Sequence, residues 1–222
     1  MKKCVSLLVA TLAILFLCTS VYAAYNPGTY TGTALGRKDK KHSGVIKVEV
    51  TVSASTIDNI KVVEYEQSVD HKKYGPLVNQ VKDEIPAAIV AKQSLDVDGV
   101  TKATLASNGL QLAVARALAK ATASYTPGTY TGTAFGRKDK KHSGVIKVEV
   151  TVSASTIDNI KVVEYEQSVG HKKYGPLVNQ AKDEIPAAIV ATQSLDVDGV
   201  TKATLASDGL QLAVARALAQ AR

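Results

Sequence analysis

Cysteine is nearly absent from this chain. Cys4 and Cys18 are the only two among 222 residues, and both fall within the first eighteen. From Thr19 onward no thiol is present, which excludes a disulfide framework, a zinc–thiolate centre and a cysteine nucleophile from the body of the protein. Histidine is scarce as well, with four in all. His42 and His71 of the first half, without a thiol beside them, make a poor metal set, and none is expected. After residue 18 no apolar run approaches membrane-spanning length. Nucleotide fingerprints are missing too: Gly28, Gly32 and Gly36 do not form G-x-G-x-x-G, and no helix is expected after them. A P-loop, a nucleophile elbow and triad spacing are likewise lacking, so the sequence offers no independent catalytic machinery.

The N-terminus has the form of a secretory signal over residues 1–23. Lys2 and Lys3 give the positive start, Val5 to Cys18 a short apolar core, and Val21-Tyr22-Ala23 a small-x-small cleavage site. Cleavage after Ala23 would leave a periplasmic or extracellular protein with no membrane span. The alternative, a lipid anchor on Cys18, is disfavoured by the bulky Leu17 before it. The charge is mild. Twenty-seven basic and 20 acidic residues give +7, and loss of Lys2 and Lys3 leaves 25 − 20 = +5. That balance favours acidic partners and gives no ground for nucleic-acid binding.

What the chain does have is a repeat. Residues 25–122 align with 125–222 without a gap, and only eight of the 98 positions differ: Asn26/Thr126, Leu35/Phe135, Asp70/Gly170, Val81/Ala181, Lys92/Thr192, Asn108/Asp208, Lys120/Gln220 and Thr122/Arg222. A period of 100 residues is too long for a solenoid unit and suits a small autonomous domain. We expect domains at 24–122 and 123–222, joined through the alanine-rich passage at 121–124 and close enough to touch.

Within each repeat, strand signals precede helix signals. Thr29 to Leu35 has β-branched and aromatic content after the Asn26-Pro27-Gly28 turn, and the charged stretch Arg37 to His42 makes a connection. Val45 to Val52 alternates cleanly, with Ile46, Val48, Val50 and Val52 on one face. Ile57 to Tyr65 alternates less cleanly, which suggests partial cover on both faces. From Tyr74 the period becomes helical: Leu77, Val78, Val81 and Ile85 share a face. Pro86 is expected to start a separate segment running to Lys92. Ser107 is placed to cap a last helix with Leu110, Ala113, Val114, Ala117 and Leu118 as its apolar stripe. The fold class is therefore α+β: two tandem, near-identical small domains, each an antiparallel sheet with helices packed on one face.

Between the two helical segments lies Asp98-Gly99-Val100-Thr101-Lys102-Ala103-Thr104-Leu105-Ala106-Ser107, repeated as Asp198 to Ser207. By local pattern alone this polar turn before an apolar-periodic segment is an ordinary helix entry. It resembles, however, the Asp-x-x-Ser/Thr-Gly-Ala-Thr motif of the FMN-binding domain family. That family includes the covalent-FMN domains of the sodium-translocating NADH:quinone reductase and of the related Rnf complex. Lys102 and Lys202 stand where the family usually has glycine. The Gly-Thr-Tyr strand start, the helix before the motif and the helix after it also match.

The resemblance implies two FMN groups, esterified through their phosphates to Thr104 and Thr204. Thr101, Thr201, Ser107 and Ser207 would supply hydroxyls toward phosphate oxygens, Ala103 and Ala203 would leave room around the attachment point, and Lys102 and Lys202 would add a cation. Asp98 and Asp198 would order the turn or be recognised by the flavin transferase that modifies the threonine. Tyr65, Tyr74 and Tyr174, with His71 and His171, are candidates to cover the flavin ring. Asp70 beside His71, replaced by Gly170 beside His171, would then separate the two reduction potentials. Asp208 in place of Asn108 would put a charge at one helix N-terminus only. The resulting reading is an exported electron carrier that lacks its own substrate-binding catalytic domain. Its redox partners would be cytochromes or membrane or secreted reductases, and the basic 37–42 loop is a candidate to dock them. The alternatives are a flavin-free binding or structural module of the same fold and a small exported flavin-dependent reductase.

Overall fold

The computed structural model describes residues 24–222. The signal segment expected at 1–23, with Cys4, Cys18 and the cleavage site, lies outside the described residues. The described chain forms two similar halves, each with a three-stranded antiparallel sheet and two helices. The first contains β1 (Gly28–Leu35), β2 (Val45–Val52), β3 (Ile57–Tyr65), α1 (Gly75–Lys92) and α2 (Thr104–Ala121). The second repeats it as β4 (Gly128–Phe135), β5 (Val145–Val152), β6 (Ile157–Tyr165), α3 (Gly175–Thr192) and α4 (Thr204–Gln220).

Strand order is sequential, β1-β2-β3 and β4-β5-β6. Gly28 pairs with Val52 and Leu35 with Val45, so the first two strands match end to end. The alternation in β2 has its expected result: Ile46, Val48, Val50 and Val52 are buried and Lys47 is exposed. β3 departs from the expectation of cover on both faces. Ile57 and Ile60 are its buried residues, and Val63 faces solvent. The irregular pattern comes from two register shifts against β2, at Lys47/Val48 and Thr51/Val52, each of which rotates the faces of the strand.

Both helices of a half lie on one side of its sheet, α2 over β1 and β2 and α1 over β3. The approach of α2 to β1 depends on Gly32. A Cβ there would stand 1.9 Å from the Ala113 carbonyl oxygen, so only a residue without a side chain lets the two backbones meet. α1 corrects the expectation of a break at Pro86. It runs unbroken from Gly75 to Lys92, with Val78, Val81, Ile85, Pro86 and Ile89 buried along one face. Burial of that stripe outweighs the roughly 3 kcal/mol that an internal proline costs a helix. Tyr65 donates a 2.7 Å hydrogen bond to the Val78 carbonyl and so pins α1 to the end of β3.

The halves are packed together through α2 and α4. Two arginines cross between them. Arg116 on α2 donates to the carbonyls of Leu195 (3.1 Å) and Val197 (2.9 Å) and to Gln211 Oε1 (2.9 Å), and pairs with Asp196 at 2.9 Å. Arg216 on α4 makes the same bonds to Leu95, Val97, Gln111 and Asp96. Each also reaches the β-strand under its own helix, at Thr33 or Thr133. Burial lowers the pKa of Arg116; Asp196, Asp208 and Asp198 oppose that shift.

Candidate functional site

The motif turn is tied to the helix that follows it. Ser107 is not the cap expected from the sequence, because α2 begins three residues earlier, at Thr104, with Ala103 in the N-cap position and no side chain capping it. Ser107 is fully buried, and its Oγ accepts from the Val100 N–H at 3.0 Å. Gln111, also buried, donates to the Val97 carbonyl at 3.3 Å. Ser207 and Gln211 repeat both bonds. Ser107 and Ser207 therefore shape the turn from inside and do not face a ligand.

Lys102 and Lys202 have φ of 70° and 69°, in the left-handed region. Glycine enters that region at no steric cost, which gives a physical reason for glycine at this place in the motif. The turn then delivers Thr104, exposed, as the first residue of α2. Backbone N–H groups in the first turn of a helix have no intrahelical acceptor, and with no side-chain cap here they are open to an anion.

Thr104 opens onto a cleft of about 190 Å³ whose walls include Arg37, Ser68, His71, Tyr74, Lys102 and Ala103. In the second half Thr204 opens onto a cleft of about 250 Å³ with Arg137, Ser168, His171, Tyr174, Lys202 and Ala203. His71 and Tyr74 form an aromatic pair with ring centroids 5.0 Å apart. His71 Nδ1 accepts from the N–H groups of Lys73 and Tyr74, both at 3.2 Å, which fixes the ring at the start of α1. His171 and Tyr174 are arranged alike.

The sequence-derived site residues thus divide. Thr104, Ala103, Lys102, Tyr74 and His71 come together, as do Thr204, Ala203, Lys202, Tyr174 and His171. Asp98 and Thr101 lie instead along a separate groove between the motif turn and α1. Tyr65 is occupied with Val78. The equivalent Asp198 and Thr201 are exposed on the turn.

Arg37 and Arg137 belong to the clefts, although sequence alone makes them only part of a basic connection. That loop is held in shape by Asp39, which accepts from the Lys41 and His42 N–H groups at 2.8 and 2.9 Å and from Ser68 Oγ. These bonds, that of Ser68 first, hold the Asp39 carboxyl well below the usual carboxylate range. The Arg37 N–H is in turn fixed at 2.9 Å on Gln67 Oε1, and Gln67 is buried. The sequence signal for Arg37 is its place directly after the strand-ending Gly36, close to where β3 also ends.

Uncapped helix N–H groups, an arginine, a lysine and an exposed hydroxyl are donors suited to a phosphate, and the His71–Tyr74 pair is suited to an aromatic plane. A family model described as FMN-binding domain matches the chain twice, over residues 42–119 and 142–219. The chain belongs to the FMN-binding domain family. Both matched ranges contain the motif, most of its helix and the aromatic pair, and both begin after the first strand of the half. The chain is also 36% identical over 93 residues to an uncharacterized protein of Treponema pallidum (strain Nichols); the similarity covers 42% of this chain and 23% of that protein. The chain is thus a flavin-binding protein by family, with the FMN-binding domain present in two tandem copies. Among the described residues, no helix is long and apolar enough to cross a membrane, and no group of three or more His, Cys, Asp and Glu is placed to hold a metal ion.

Proposed function

We propose that this protein is an exported electron carrier with two FMN groups, one bonded through its phosphate to Thr104 and one to Thr204. The observation that carries this reading is the position of the threonine. In both halves it is exposed, first in its helix, and at the mouth of a cleft that gathers cations and an aromatic pair. The uncapped N–H groups of α2, with Arg37 and Lys102, would hold the phosphate, and Tyr74 and His71 would lie against the ring. Bound FMN supplies the capacity to accept and release electrons, while the protein sets its exposure and potential. The clefts, at about 190 and 250 Å³, are smaller than the ~300–1,000 Å³ of pockets that enclose a whole ligand. Part of each cofactor is left at the surface, as exchange with a protein partner requires. Donor and acceptor are other proteins, cytochromes or membrane or secreted reductases among them, and a flavin transferase outside the cytoplasm makes the bond.

The test is co-expression with a flavin transferase, denaturation, and measurement of the flavin fluorescence that stays with the polypeptide. Thr104→Ala and Thr204→Ala each remove half of it, and the double variant removes all of it while retaining its circular dichroism. A parent chain that holds no flavin after denaturation overturns the covalent reading.

A further inference from the structure

The two clefts are not separate. Leu205, from the second half, forms part of the wall around Thr104, and Leu105, from the first half, forms part of the wall around Thr204. Each leucine also lines the cleft of its own half, so the same two side chains bound both sites. This follows from how α2 and α4 pack. They lie side by side with their N-terminal ends together, and each threonine is the first residue of its helix. Asn108, one turn into α2, donates at 2.9 Å to the carbonyl of Phe135 at the end of β4, which fixes that end of α2 against the second half. Leu105 and Leu205 are only half-buried, although they sit among buried neighbours such as Ala106 and Ala206.

We propose that the two clefts form one composite two-cofactor site, with Leu105 and Leu205 as the shared apolar wall between its flavin rings. The inference rests on the FMN reading above and deepens it: each half completes the other's site, and the nearest redox neighbour of either cofactor is the other one. An electron given up at one site is taken up at the other, so the oxidation of one flavin is balanced by reduction of its twin and the chain as a whole is unchanged. The apolar wall keeps water from between the two rings. A single half would lack one wall of its site.

The test uses the full-length chain loaded with flavin, and its readouts are optical. Fluorophores this close exchange excitation, and the exchange depolarises their emission. The emission of the parent chain is therefore expected to be more depolarised than that of Thr104→Ala or Thr204→Ala, in which one flavin remains and the exchange is lost. In the Thr204→Ala background, Leu205→Ala is expected to increase quenching by iodide of the flavin on Thr104, although the substitution lies in the opposite half. Leu205→Met, which keeps an apolar side chain of similar bulk, restores the protection. Equal polarisation in the parent and single-flavin chains, or iodide quenching unchanged by Leu205→Ala, overturns the composite site. If denatured parent chain carries no flavin, the FMN reading itself has failed, and that fluorescence measurement distinguishes this result from the other two.

Discussion

Lys102 occupies a backbone position made for glycine. At φ 70° its Cβ is crowded by its own backbone, and non-glycine residues in sparsely populated regions cost about 1–3 kcal/mol. Lys102→Gly is therefore expected to stabilise the first half by about 1 kcal/mol, near the lower end of that range because glycine is also freer when unfolded. Chemical denaturation compares the two, and a loss of stability would show that the lysine side chain contributes more than its backbone costs. Asp208 is a second residue under tension. It lies in the second turn of α4 rather than at its N-terminus, is only 6% exposed, and has Oδ2 without a hydrogen-bond partner among the described residues. The charge expected there at the helix entry is thus buried. Desolvation pushes the carboxyl up to about 7, with Arg116 pulling the other way. The raised value means that the folded state holds the proton more tightly than the unfolded state. This contribution to stability is therefore greatest below pH 3.8 and is lost as the pH rises toward 7. Roughly three pH units at about 1.36 kcal/mol each set a ceiling of about 4 kcal/mol, and an unpaired buried polar group costs about 1–3 kcal/mol. Asp208→Asn removes this penalty and reproduces Asn108 of the first half, whose amide is satisfied by the Phe135 carbonyl. The variant should be more stable than the parent at pH 8 and nearly equal to it at pH 4. A gap that does not change with pH would sink the assignment.

At the scale of elements, legibility follows the range of the forces involved. β2 can be read residue by residue, because its period-2 pattern is a local record of which face meets the core. The sequence places the cap of α2 four residues late, at Ser107 instead of Ala103, because Ser107 has the right chemistry for a cap. Its hydroxyl is instead turned back on Val100, and the helix begins without any side-chain cap. That missing cap is itself part of the site, since it leaves the N–H groups beside Thr104 open. Pro86 misleads for a related reason: local cost argues for a break, while the buried stripe from Val78 to Ile89 is set by packing on the sheet. The motif threonine, its neighbours and the aromatic pair are legible from residue type and spacing. Asp98 and Thr101 are not separable from them, because a sequence does not show that a left-handed residue at 102 turns the chain between the two groups. Arg116 leaves one trace, a charge in the middle of a helix that is buried almost all round and whose other charge, Lys120, lies in the last turn.

For the whole molecule, that arginine links the halves to the function. Leu195 and Val197 lead directly into the motif turn of the second half, and their carbonyls are held by Arg116 of the first. Arg216 holds Leu95 and Val97 in the same way. Each motif turn is therefore braced from the opposite half, across about 80 or 120 residues of sequence, and no local pattern could have revealed it. Hydrogen bonds to a charged group contribute roughly 1.5–3 kcal/mol each when buried, so the loss of Arg116 is expected to loosen the distant turn well before the chain unfolds. Arg116→Ala should speed amide exchange at residues 195–200 and leave 95–100 unchanged; Arg216→Ala should do the reverse. The crossed pattern is what distinguishes a brace between halves from general destabilisation, which would speed exchange in both turns at once. Faster exchange confined to the half that carries the substitution would rule out the brace. If the crossed pattern holds, the packing of α2 on α4 sets the shape of both cofactor turns together, and neither site is independent of the other half.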